Sequence, residues 1–145
     1  LAHRHRPPRS PHSFSRRQRQ MCIRDRAGIA LISELQKTNP YEQLELTIQN
    51  FLNAISKSLE AKSIDFAYNA SGGMFGFFFS KKLPENFEDV CATDSKVFQK
   101  FFIKSLSKGI YFAPSKFEAG FLSTTHIDEV MQSASQKVLD AIEEL

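Results

Sequence analysis

Arginine is absent from the chain after residue 26. Residues 1–26 hold all eight arginines and a single acid, Asp25, which gives them a net charge of +7. Residues 27–145 hold all eleven lysines and fifteen acids, which gives them a net charge of −4. An acidic folded part would repel phosphate, so this balance argues against a nucleic-acid-binding domain. The change in basic residue type predicts a boundary at Arg26.

Cysteines and long apolar runs are also scarce. The two cysteines, Cys22 and Cys91, have no metal-ligand spacing and cannot form a disulfide framework. No apolar run approaches the roughly 20 residues that a membrane-spanning helix needs. These absences favour a cytoplasmic protein in a reducing compartment, with no contact with a membrane.

Residues 1–26 are predicted to be disordered. They contain three histidines, three prolines and no glycine, with almost no apolar periodicity. A basic arm for nucleic acid and a transit peptide both match this composition. The string Met-Cys-Ile-Arg-Asp-Arg at positions 21–26 resembles translated sequencing-adaptor sequence. We therefore expect a non-native tail, and a single domain over residues 27–145.

Apolar residues at steps of three and four predict four helices in that domain. Asn39-Pro40 should stop the first, Asp94 should cap the third, and Gly109 should close it. The predicted helices are residues 27–35, 41–62, 94–108 and a last one after Thr124 or Thr125. The buried stripe of the last helix is expected at Ile127, Val130, Met131, Ala134, Val138, Ile142 and Leu145.

Short strands are predicted between the helices. Residues 64–69 alternate with a period of two, and the aromatic residues 74–79 follow a turn at Ser71-Gly72-Gly73. Gly76 suggests a bulge or a closely approaching backbone. Residues 110–112 and 121–122 are further short strands, and residues 81–93 a loop. The fold class is therefore α+β, with a small, largely antiparallel sheet covered by helices.

The segment from Gly109 to Phe121 is the most distinctive part of the chain. Pro114 removes a backbone donor in its middle, and a single acid, Glu118, follows Phe117. This layout indicates a structured loop that presents one carboxylate from an aromatic-lined bend. The alternative is an ordinary strand–turn–strand connection with a solvated glutamate.

Residues 111–121, Tyr-Phe-Ala-Pro-Ser-Lys-Phe-Glu-Ala-Gly-Phe, resemble the C-terminal signature of the glutamate-1-semialdehyde 2,1-aminomutase family. Residues 27–31 (Ala-Gly-Ile-Ala-Leu) and 72–79 (Gly-Gly-Met-Phe-Gly-Phe-Phe-Phe) resemble other segments of that family in the same order. These enzymes are isomerases of the pyridoxal-phosphate-dependent class-III aminotransferase family. They convert glutamate-1-semialdehyde to 5-aminolevulinate in tetrapyrrole (porphyrin) biosynthesis.

The resemblance implies the C-terminal small domain of a fold-type I pyridoxal-phosphate enzyme, a homodimer acting on a small-molecule substrate. The cofactor lysine would belong to a large domain upstream of residue 27, so the chain alone should be inactive. Glu118 would lie on the substrate side, with Ser115 as a second candidate. Lys116 would be a surface residue and His126 a structural residue at a helix start. No catalytic, cofactor-binding or metal-binding residue is expected within the chain itself.

Three other interpretations stay open at this stage. The domain could belong to another class-III aminotransferase, or it could be a free-standing α+β interaction module. The module would use the aromatic residues of the second strand as a partner surface. The third interpretation, a nucleic-acid binder using the arginine-rich tail, conflicts with the acidity of residues 27–145.

Overall fold

The computed structural model describes residues 12–126 and 128–145. The chain divides between Asn39 and Pro40 into two compact units. This division lies thirteen residues beyond the boundary that the change of basic residues predicts. The start of the predicted tail, residues 1–11, and the predicted core residue Ile127 lie outside the described residues.

The first unit contains one helix, α1, at His12–Thr38. Residues 12–26, which the sequence predicts to be disordered, are part of this helix. Arginine and glutamine have good helix propensity, which the low apolar content of this stretch obscured. The helix ends as expected, because Asn39 adopts a left-handed conformation (φ 37°) and Pro40 follows it.

Two long helices of the second unit pack against each other. Helix α2 spans Tyr41–Ala61 and helix α5 spans Asp128–Glu143. Both bury one apolar stripe, as the periodicity predicts, although Val130 of α5 is about half exposed. The buried residues of the two helices are Ile48, Phe51, Leu52, Ile55, Leu59, Met131, Val138, Ala141 and Ile142.

Helix α4 spans Ser95–Ser107 and packs on α5. The Asp94 carboxylate caps it, accepting hydrogen bonds from the backbone N–H groups of Lys96 and Val97 at 2.8 and 3.0 Å. At its end Gly109 adopts a left-handed conformation (φ 85°) and Ile110 N–H donates to Ser105 O. This Schellman ending confirms the predicted helix closure.

A three-stranded antiparallel sheet lies beside the helices, in the order β1-β2-β3. The strands are Ala67–Ser71 (β1), Met74–Phe78 (β2) and the two-residue Gly120–Phe121 (β3). Tyr68 lies opposite Phe77 in the first pair, and Met74 lies opposite Phe121 in the second. The predicted α+β class with an antiparallel sheet is confirmed.

The aromatic side chains of β2 at alternate positions join the core with the helices. We call the face that carries Phe75 and Phe77 the inner face of the sheet. The Phe77 ring lies 5.6 Å from Phe101 of α4 and 5.4 Å from Phe112, between ring centroids. The outer face carries Met74, Gly76 and Phe78. The aromatic residues of β2 therefore join the core on one face only.

Three local predictions are wrong. Within residues 81–93 there is a short helix, α3, at Phe87–Ala92, whose cap is the Asn86 side chain accepting from Asp89 N–H at 2.9 Å. Residues 110–112 form no strand, because Phe112 is buried in the aromatic core instead of pairing with β2. Gly76 makes no bulge, since it pairs in register with Asn69.

Within the described residues, no helix combines the length with the apolar character that is needed to span a bilayer.

Candidate substrate-side loop

Residues 113–119, which we call the Glu118 loop, connect the end of α4 to strand β3. The loop is held at one side by buried Phe112, and at the other by Gly120 in β3. Both anchors belong to the sheet and its aromatic core. The loop therefore starts and ends on the rigid part of the second unit, as the sequence predicts for a structured loop.

The two candidate residues of the loop, Ser115 and Glu118, lie in one turn. Ser115 O accepts a hydrogen bond from Glu118 N–H at 3.1 Å. Ser115 Oγ accepts one from Phe117 N–H at 3.3 Å. The serine hydroxyl therefore shapes the turn from which the carboxylate projects, and it keeps its own proton available for donation.

The Glu118 side chain is exposed. Among the residues that the structure describes, the ion pairs join Lys62 to Glu143, and Lys104 and Lys108 to Glu144. Glu118 is thus a carboxylate in solvent whose backbone is fixed by the turn. An exposed anion held on a rigid loop can attract a cationic group, and it disfavours a carboxylate that binds at the same point.

Two side chains of the loop contact helix α3. Lys116 Nζ donates to the backbone oxygens of Cys91 and Thr93 at 2.9 and 3.0 Å. The Phe117 ring stacks on Phe87, with centroids 5.3 Å apart. These contacts could not be expected from the sequence, because α3 itself was not predicted.

Gly120, the residue that follows the loop, packs closely against the Phe75 ring. A Cβ atom at this position would lie 2.6 Å from two carbons of the Phe75 ring. The position therefore requires glycine so that the Phe75 ring can pack on β3. A crevice of only about 10 Å³ remains beside it, lined in part by Ser115 and Glu118.

His126 closes the turn that precedes α5. Its Nδ1 atom lies 3.0 Å from Ser123 N and accepts the hydrogen bond from that N–H group. In this arrangement the ring proton lies on Nε2. The contact assigns His126 a local structural role, as the sequence predicts.

Two grooves of the second unit lack the groups that form a site for pyridoxal phosphate. Such a site needs a lysine for the aldehyde and donors for the phosphate. Two grooves are large enough for a small molecule, one of about 460 Å³ between α2 and α5 and one of about 300 Å³ on the outer face of the sheet. Neither groove has a lysine or arginine among its lining residues. Lys116 borders only the 10 Å³ crevice and is engaged with α3.

Comparison with known proteins gives a consistent set of relatives. The chain is 42% identical over 118 residues to the glutamate-1-semialdehyde 2,1-aminomutase of Legionella pneumophila strain Paris. The enzyme of the same name from Psychrobacter cryohalolentis is 37% identical over 121 residues. The chain is homologous to part of the glutamate-1-semialdehyde 2,1-aminomutases. The match covers 81% of this chain but only 27% and 28% of these two aminomutases.

Solved structures show the same fold. A transaminase with PLP bound aligns with a TM-score of 0.55 and 15% identity, over 74% of this chain and 24% of that one. An omega-transaminase from Sphaerobacter thermophilus aligns with a TM-score of 0.56 and 12% identity, over 72% of this chain and 24% of that one. The chain thus has the fold of about a quarter of a transaminase. No family model matches it.

Proposed function

We propose that residues 27–145 are the small domain of a glutamate-1-semialdehyde 2,1-aminomutase. The intact enzyme would be an isomerase that converts glutamate-1-semialdehyde to 5-aminolevulinate in tetrapyrrole biosynthesis. The observation that supports the proposal most strongly is the 42% identity over 118 residues to a named aminomutase. The chain spans about a quarter of that relative, so the reaction would belong to the larger protein.

In this proposal the Glu118 loop forms part of the substrate-side wall. The Glu118 carboxylate would attract the substrate's ammonium group and disfavour a substrate bound with its carboxylate at that point. Ser115 would hold the turn and offer its hydroxyl to a polar group of the substrate. The exposed position of Glu118 and the two hydrogen bonds made by Ser115 support this assignment.

The remaining parts of the active site would come from the rest of the enzyme. Pyridoxal 5'-phosphate supplies the amino-group chemistry in this family, and the described residues lack a fitting lysine and phosphate cradle. A bidentate arginine for the substrate carboxylate would also come from elsewhere, since residues 27–145 contain none. We further propose that the intact enzyme is a cytoplasmic homodimer that binds neither nucleic acid nor membranes.

A segment exchange tests the proposal directly. Residues 27–145 would replace the matching segment of the Legionella pneumophila aminomutase, and formation of 5-aminolevulinate would be measured. We expect the chimeric enzyme to be active, because the exchanged segment supplies the same wall. A folded chimera that binds pyridoxal phosphate but forms no product would contradict the assignment.

The role of Glu118 is tested in the same chimera. Glu118→Gln keeps the shape of the side chain and removes its charge, so we expect turnover to fall or KM to rise by about tenfold or more. Glu88→Gln, at an exposed position in α3, is the matched control and should leave both parameters unchanged. Unchanged kinetics for Glu118→Gln would remove this residue from the site.

A further inference from the structure

The Glu118 loop has few connections to the rest of the unit. Its internal hydrogen bonds, from Glu118 N–H and Phe117 N–H to Ser115, shape the turn but do not attach it to anything. Buried Phe112 anchors its N-terminal end and strand β3 its C-terminal end, through two paired residues, so neither anchor fixes the residues between them. The position of the turn therefore depends on the contacts that Lys116 and Phe117 make with α3.

Helix α3 in turn has little support of its own. It has six residues, none of which is buried. A helix of this length is unstable in isolation, because nucleation costs more than one turn of hydrogen bonds returns. Its last carbonyl groups have no partner within the helix, and they carry partial negative charge.

Lys116 connects the Glu118 loop to α3 and also binds carbonyl oxygens at the C-terminal end of that helix. Its ammonium group donates to Cys91 O and Thr93 O, one at the last turn of α3 and one just beyond it. Two charge-assisted hydrogen bonds from a cation at a helix C-terminus are the favourable arrangement for the helix dipole. The ammonium also lies 5.5 Å from the centre of the Phe117 ring, which itself stacks on Phe87.

We propose that Lys116 is a positioning residue, which fastens the Glu118 loop to the C-terminal end of α3 and thereby fixes where the Glu118 carboxylate projects. The link to substrate rests on the proposed function, whereas the attachment itself does not. Lys116 then acts through the backbone and not as a nucleophile. The residue is only partly exposed, in agreement with the contacts of its ammonium group.

The attachment is tested in the full chain by amide hydrogen exchange. Lys116→Met keeps the aliphatic length and removes the charge and the donors. We expect exchange of the Phe117 and Glu118 amides, and of the amides of residues 89–93, to accelerate about tenfold or more. Exchange in α2 and α5 should stay unchanged, because these helices do not contact Lys116. Lys116→Arg, which can also donate to two carbonyl oxygens, should restore most of the protection.

Lys81→Met is the matched control, since it removes an exposed loop lysine from the same unit. Exchange in Lys116→Met that equals the Lys81→Met control would overturn the attachment. Acceleration throughout the second unit would overturn it as well, since it would show a general loss of stability. Failure of Lys116→Arg to restore protection would show that the two hydrogen bonds are not what holds the loop.

The link to Glu118 is tested in the active chimera described above. We expect Lys116→Met to change kcat or KM in the same direction as Glu118→Gln, and the double variant to be no worse than Glu118→Gln alone. Lys116→Met with a loosened loop but unchanged kinetics would overturn the positioning role. An inactive chimera would instead overturn the proposed function, while hydrogen exchange would still decide the attachment.

Discussion

Strand β2 carries apolar side chains on both faces of the sheet, and the two faces have very different surroundings. The inner face places Phe75 and Phe77 against the helices, where Phe75 is only 6% exposed. The outer face places Met74 and Phe121 side by side, with 46% and 69% of each residue exposed. An antiparallel sheet with one solvated face normally carries polar residues on that face. Asn69 and Ser71 of β1 follow this rule on the outer face, whereas Met74 and Phe121 do not.

The largest difference is expected between neighbours in β2. Phe75→Ala should lower the free energy of unfolding of the second unit by about 3–5 kcal/mol, because it leaves a cavity under β3. Met74→Ala, one residue earlier on the outer face, should cost about 1 kcal/mol or less. Urea unfolding followed by circular dichroism measures both values. Similar losses for the two variants would show that the faces are not distinct in solution.

The glycines of the sheet offer a second comparison. Gly120→Ala places a methyl group against the Phe75 ring on the inner face, so we expect a cost of about 1–3 kcal/mol. Gly76→Ala on the outer face is the control, since its Cβ would lie 3.6 Å from the Phe78 ring, an ordinary contact. Unfolding in urea should separate the two variants. A Gly120→Ala variant as stable as Gly76→Ala would mean that β3 does not pack on Phe75.

Helices α2 and α4 could be predicted because the sequence patterns that specify them are local. The stripe of α2, the Asp94 cap and the Gly109 ending each depend on residues within one or two turns. Helix α3 was missed although Asn86 and Asp89 form a capping pattern, because its six residues are too few for the spacing of Phe87 and Val90 to repeat. The pattern of period two placed β1 and β2, but it could not show which face of β2 the helices cover.

The candidate loop was predictable in position but not in attachment. Its proline, glycine and single acid marked Glu118 as a candidate, and Ser115 was added through the family resemblance; the structure brings these two residues into one turn. The contacts of Lys116 depend on α3, which is 23 and more residues away in sequence. Contacts between residues so far apart in sequence arise from the tertiary fold, so no local sequence pattern predicts them.

The outer face should also control self-association. Phe121→Ser removes the most exposed large side chain of this face, with an expected stability change within about 0.5 kcal/mol. Since exposed apolar patches promote association, we expect this variant to sediment as a smaller species than the unmodified chain at high concentration. Leu106→Ser, an exposed apolar position on α4, is the matched control and should not change the sedimentation. An unmodified chain that is already a clean monomer would contradict an adhesive outer face.

The smallest effect is expected at the salt bridges that join Lys104 and Lys108, at the end of α4, to Glu144 near the end of the chain. Two hydrogen bonds lower the pKa of Glu144 from 4.5 to about 2, and the one from Lys108 has a larger effect than the one from Lys104. Because the folded-state pKa is the lower one, this stabilisation is present above pH 4.5 and is lost as the pH falls towards 2. Glu144→Gln should therefore flatten the dependence of urea stability on pH between 4.5 and 2, and it should lower the stability at pH 7 by the same amount, which is small because an exposed ion pair contributes little. Glu143→Gln is the neighbouring control, and an identical pH dependence in both variants would show that the two lysines do not hold Glu144 in solution.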